Sequence, residues 1–239
     1  MLGLPHRVER ALGELLAALQ AKLEGDLVAV LAHGSTVRGG YDESRSDVDL
    51  VVVVERDDIE HLERIAADVV LARTSARIVC MILRRSEIAP AADVFPLLFD
   101  DLGAEGVVLH GDNPFSGLHF DEEHRRLRIE QELRNARIRL RAGITDASAG
   151  LLQREALVGQ KLRQIRSPLY ALLRRAGKPP ARDLKSVVTA AGVHLGIDTA
   201  DLLRFRQSPE RALRALAALL DAAIERADDS AAEAARSVS

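Results

Sequence analysis

Leu31-Ala32-His33-Gly34-Ser35, a loop-like stretch to Ser46, then Asp47-Val48-Asp49-Leu50-Val51-Val52-Val53-Val54 decides how this chain is read. Leu27 to Ala32 is a short continuous apolar run of strand type, and the valines after Asp49 are stiff at χ1 and favour extended backbone. Two carboxylates at i and i+2 on a strand project from the same face, because successive side chains alternate. Asp47 and Asp49 can therefore converge on a hard divalent cation, and magnesium favours a few carboxylates plus phosphate oxygens over a closed protein cage. Gly34, without a Cβ, and Ser35 let backbone amides and a hydroxyl approach phosphates closely. Arg38 lies between the two halves of the motif, within reach of the same phosphates.

Working outward, Leu2 to Leu23 has helical spacing of leucine and alanine and ends at Gly25-Asp26. Asp57 is placed to cap a helix to about Ala72, with Ile59, Leu62, Ile65, Ala66, Val69 and Val70 on one face. Ala76 to Leu83 and Gly106 to Gly111 read as two further strands, separated by Ile88 to Leu102, which contains Pro90 and Pro96 and reads as broken helix. Beyond Asn113-Pro114-Phe115-Ser116-Gly117 the strand-like runs vanish. Four helices follow, over 122–141, 149–176, 181–195 and 209–227, with Asp183 and Ser208 at capping positions. The expected architecture is α+β (α/β), a mixed sheet with flanking helices over 1–117 followed by an all-α helical bundle over 118–229 and a flexible tail over 230–239.

At 239 residues, 47% hydrophobic and 29% charged, the chain can bury a full core. No run approaches the length of a membrane span, so no membrane partner is expected. The lone Cys80 and the absence of a signal-like N-terminus give an expected cytoplasmic address. Aromatic content of 3% argues against a platform that stacks single-stranded bases. The net charge of −3 divides unevenly: residues 1–120 hold 11 basic and 20 acidic residues, residues 121–239 hold 22 and 16. Between Arg125 and Arg175 there are 13 Lys and Arg against 4 Asp and Glu, a basic helical stretch able to attract phosphate.

The segment His33-Gly34-Ser35 to Asp47-Val48-Asp49-Leu50 resembles the signature of the DNA polymerase β-like nucleotidyltransferase superfamily. The wording Gly-Ser-Thr-Val-Arg-Gly followed by Ser-Asp-Val-Asp-Leu is similar to that of its small prokaryotic members, the aminoglycoside and minimal nucleotidyltransferases. The resemblance covers roughly residues 27–111. It implies a Mg²⁺-dependent enzyme that moves a nucleoside monophosphate from a nucleoside triphosphate, ATP favoured, to a hydroxyl acceptor on a small molecule, protein or RNA, releasing pyrophosphate. Asp47 and Asp49 would be the catalytic metal ligands, and Gly34, Ser35 and Arg38 would bind the nucleotide. The second half would select the acceptor.

One departure stands out. The superfamily supplies a third carboxylate from the next strand, yet Ser75 to Leu83 contains no acidic residue, and Arg77 stands near the expected place. Glu87 just after that strand and Glu155 in the second half are the other acids to weigh, and both read as surface helix residues. This departure keeps a second expectation open, a catalytically weak module that binds nucleotide or regulates a partner, as an antitoxin does.

Overall fold

The computed structural model describes residues 2–38, 41–43, 46–146 and 150–237. Two compact units divide it, Met1–His119 and Phe120–Ser239.

The first unit is built on a four-stranded mixed sheet. Its strands are β1 (Leu27–His33), β2 (Val48–Val54), β3 (Ile78–Arg84) and β4 (Val107–Gly111), in the order β3-β2-β1-β4. β2 runs antiparallel to β1 and parallel to β3, and β4 is antiparallel to β1. The parallel pair requires a crossover, and α3 (Ile59–Ala76) supplies it. Val48, Leu50, Val52 and Val54 join Val30 and Ala32 in one core with Leu12, Leu15 and Leu19 of α1 (His6–Leu23) and Ile65 of α3. The alternate residues Val51 and Val53 are just as buried, on the other face, where Phe99 and Leu102 of α5 (Pro96–Glu105) are also interior. A strand covered on both faces reads as an unbroken apolar run, which is why β2 is so evident in the sequence.

Several expected boundaries move. α1 begins at His6, one residue beyond Pro5, whose fixed φ and missing N–H suit a helix start. The segment after Gly34 carries a short α2 (Ser35–Arg38) where only loop was expected. Asp58, not Asp57, caps α3 by accepting from the His61 backbone N–H at 3.1 Å. The buried stripe of α3 also differs: Ile59 and Val70 are exposed, whereas His61, Ile65, Ala72 and Ala76 are buried. The region between β3 and β4 is broken, into α4 (Arg85–Ile88) and α5, with Pro96 at the start of the second piece.

The second unit is all helical, with α6 (Glu122–Asp146), α7 (Leu151–Arg175), α8 (Leu184–Leu195), α9 (Ala200–Leu203) and α10 (Pro209–Ser237). Its interior is aliphatic, with Leu133, Leu140, Val158, Ile165, Leu216 and Leu220 fully buried. α7 ends in a Schellman arrangement: the Gly177 N–H donates to the Arg174 carbonyl at 3.0 Å, and the Lys178 N–H to Leu173 at 2.9 Å. Asp183 caps α8 through Ser186 N–H at 3.0 Å. Helix continues to Ser237, past the residues expected to form a tail from 230. The basic stretch is largely neutralised within the unit. Arg126 binds Glu123 and Glu130, Arg134 binds Glu130 and Asp228, and Arg137 takes both oxygens of Asp221 at 2.7 and 3.0 Å. Among the described residues, no helix is long and apolar enough to cross a membrane.

Candidate functional site

Both carboxylates of the motif lie at one end of the β1–β2 pair. Asp49 is the second residue of β2 and pairs in register with His33, the last residue of β1. Asp47 immediately precedes β2, and the Val48 N–H is held by the Arg77 carbonyl at 3.0 Å. Alternation along the strands puts Asp49 and His33 on the face that carries α5, opposite the α1 and α3 core.

Gly34 turns the chain from β1 into α2 with φ of 76°, a left-handed conformation that strains a residue bearing a side chain. A Cβ at this position would overlap the Asp49 carboxylate. Glycine is thus required twice here, for the turn and for the close approach of backbone to carboxylate. Ser35 opens α2 and is half-buried, while Thr36 turns inward and donates its hydroxyl to the His33 carbonyl at 3.2 Å.

The electrostatics differ at the two acids. Burial raises the Asp49 carboxyl above its ordinary range, the neighbouring Asp47 charge raises it further, and Arg38 opposes both. Asp49 therefore bears a like-charge cost that a cation would relieve. His33 is driven down to about 4, first by burial and then by the charge of Arg38, so it is a neutral ring at physiological pH.

Arg38 is not an open loop arginine. Its guanidinium donates to Asp101 at 3.3 Å and to Glu105 at 3.2 Å, both on α5, and it ties α2 to that helix. Its charge nonetheless acts on both Asp49 and His33. Chain pattern could not reveal this bond, since the partners lie 63 and 67 residues away.

No acid of β3 reaches this end of the sheet. The parallel register sets Val48 beside Ile78 and Asp49 beside Val79. Arg77, just before β3, donates from Nε to Asp47 Oδ1 at 2.9 Å. Glu87 lies beyond the far end of β3 and accepts from the Arg84 backbone N–H at 3.2 Å, where it closes the first turn of α4. Glu155 lies in the second unit, 3.4 Å from Arg206. Lys161 is buried on α7 and donates to Gln164 at 2.9 Å. Cys80 is half-buried in β3 with its thiol pushed up to about 11 by burial, which leaves it a poor nucleophile.

Residues 12–93 match the family described as a nucleotidyltransferase domain. The chain is similar in fold to spectinomycin adenyltransferase AAD(9) from Enterococcus faecialis, whose crystal structure contains ATP and spectinomycin. The TM-score is 0.53 at 12% identity, over 92% of this chain and 99% of that one. No curated protein matches the chain in sequence. Residues 12–93 thus match a nucleotidyltransferase domain, and the mixed sheet followed by helices is an α+β fold similar to that of the adenyltransferase.

Proposed function

We propose that this protein, with a nucleotidyltransferase domain over residues 12–93, transfers a nucleoside monophosphate from a nucleoside triphosphate to an acceptor hydroxyl. The observation that carries the reading is the Asp47/Asp49 pair at the end of β2, packed against the positive-φ turn at Gly34. ATP is the first donor to test and a small hydroxylated molecule the first acceptor, since the structural neighbour's crystal contains ATP and spectinomycin. An acceptor hydroxyl on protein or RNA remains within the same chemistry. Residues 118–229 are assigned the selection of the acceptor, and a cytoplasmic address suits a consumer of nucleotide.

The residues present suit Mg²⁺: two carboxylates in mutual repulsion, next to a glycine turn that admits phosphate oxygens. Asp47 and Asp49 would hold it. When bound, Mg²⁺ supplies positive charge against the triphosphate and lowers the pKa of an acceptor oxygen. The chain's own contributions are positional. The Gly34 backbone and the Ser35 hydroxyl receive the triphosphate, and Arg38, braced by Asp101 and Glu105, fixes α2 and adds positive potential. The acceptor oxygen attacks the α-phosphorus, an O–P bond forms, and the bond from the α-phosphorus to the bridging oxygen breaks. Pyrophosphate leaves with that electron pair, and the hydroxyl proton passes to solvent or to a carboxylate.

A second reading has its own observation. Arg77 on Asp47, in place of an acid from β3, suits a module that binds nucleotide without efficient turnover. Incubation with each α-labelled triphosphate, Mg²⁺ and a panel of hydroxylated acceptors separates the two. Pyrophosphate release with label transfer, lost in Asp47→Ala and Asp49→Ala, supports the enzyme. Nucleotide binding with no turnover across the panel supports the module.

A further inference from the structure

We infer that this site works with a single divalent cation, brought in with the nucleotide, and that the Arg77 guanidinium occupies the place where a second cation would be held. The inference rests on the nucleotidyltransferase reading above and specifies its metal count.

Two-metal centres set their cations about 3.5–4 Å apart, close enough that carboxylates are needed to bridge and neutralise them. Among the described residues, no group of three or more His, Cys, Asp and Glu is arranged to hold a metal. Asp47 and Asp49 have no carboxylate partner from β3, whose sequence Ile-Val-Cys-Met-Ile-Leu-Arg carries none. What stands alongside Asp47 is a cation. Arg77 Nε donates to Asp47 Oδ1 at 2.9 Å, and both side chains are about half exposed, so the pair is loose enough for Asp47 to turn toward a metal.

Arg77 is also anchored. It terminates α3 in the left-handed conformation with φ of 54°, its N–H donates to the Arg73 carbonyl at 3.0 Å, and its own carbonyl accepts from Val48 at 3.0 Å. The base of its side chain is thereby bolted to both α3 and the strand that carries Asp49. The Arg77 guanidinium thus sets a positive charge beside Asp47.

Charge balance points the same way. Three carboxylates around two divalent cations leave one net positive charge toward the triphosphate. Two carboxylates, one guanidinium and one divalent cation leave the same. Arg77 thus preserves the field at the phosphates while removing the anionic ligand that a second cation requires. It also leaves the empty pair with only one net negative charge, so free metal binds weakly and metal chelated by the triphosphate binds well.

The test is Mn²⁺ stoichiometry in the full chain, by electron paramagnetic resonance and calorimetry, with a non-hydrolysable α,β-methylene triphosphate. The expected result is one nucleotide-dependent Mn²⁺ per chain without spin coupling, and weak binding of Mn²⁺ alone. Arg77→Glu is expected to take up a second Mn²⁺ with a coupled-pair signal, whereas Arg77→Asn, which tolerates the left-handed φ, stays at one. Two Mn²⁺ in the unaltered protein, or one in a natively folded Arg77→Glu, overturns the inference. Two Mn²⁺ leaves the nucleotidyltransferase reading standing, whereas absence of any nucleotide-dependent Mn²⁺ removes that reading and this inference together.

Discussion

The two ends of the β1–β2 pair both carry clustered acids, and they treat them in opposite ways. At the end where β1 begins, Asp26 takes two hydrogen bonds from Arg56 Nε and one from Nη2, and Asp58 accepts from both the backbone and the ring of His61. The other His61 nitrogen is 3.1 Å from Asp26. Hydrogen bonds from Arg56 and His61 hold these two carboxyls below their ordinary range. At the end where β1 finishes, Asp49 has burial and Asp47 against it and is pushed up. A cluster neutralised by its own chain fastens loops together. The cluster beside the glycine turn, with its raised Asp49 carboxyl, is where the proposed function puts a cation.

The largest test of this contrast is catalytic. Asp47→Ala and Asp49→Ala are each expected to lower nucleotidyl transfer by about a thousandfold or more, the rate equivalent of several kcal/mol of lost charge stabilisation. Asp58→Ala, at the neutralised end, should lower the Tm and leave turnover within about twofold of the parent, because it touches no reacting group. Steady-state rates and thermal unfolding on the same preparations decide it, and a comparable rate loss at both ends would break the comparison.

Gly34→Ala comes next. The added methyl meets the Asp49 carboxylate and the left-handed φ disfavours it, so KM for the triphosphate should rise about tenfold, equivalent to ~1.4 kcal/mol. An unchanged KM would show that the turn does not set phosphate approach. At the opposite end, His61→Ala should destabilise the fold by about 1–3 kcal/mol through the polar partners it abandons, measured by urea unfolding with KM unchanged.

The smallest effect has opposite signs at the two ends. The Asp58 carboxyl is depressed in the folded state, so it adds stability above its unfolded pKa, near 3.9, and that contribution disappears as pH falls through the depressed value. The Asp49 carboxyl is raised, so its charge costs stability at neutral pH, and the cost fades as pH falls through the raised value. Asp58→Asn should therefore lower the Tm at pH 7, and Asp49→Asn should raise it. Both differences should shrink toward strongly acidic pH in a melting series, and equal signs at pH 7 would refute the assignment.

Much of this was legible in residues. The alternation of Asp47 and Asp49, the unbroken valines of β2 and the lone glycine before Ser35 are local signals, since strand period, χ1 stiffness and backbone freedom belong to a few neighbouring residues. On α3, apolar spacing alone points to Ile59 and Val70, whereas packing on α1 and β3 buries His61, Ala72 and Ala76 instead. Arg38 showed itself as a cation near the motif, but not as the brace to Asp101 and Glu105, which needs α5 folded back over β1.

The two-carboxylate strand, the glycine turn before it and the change from mixed sheet to helices can be read from residues alone, because each is encoded within one element. Which charges those carboxylates meet depends on how the elements pack. Asp47 meets Arg77 because the parallel crossover through α3 returns the chain beside β2 with that residue at its end, and the Asp49 carboxyl stays raised because burial and Asp47 outweigh the opposing charge of Arg38. Pairings across 30 residues of crossover depend on register, and register is fixed only when the whole sheet packs.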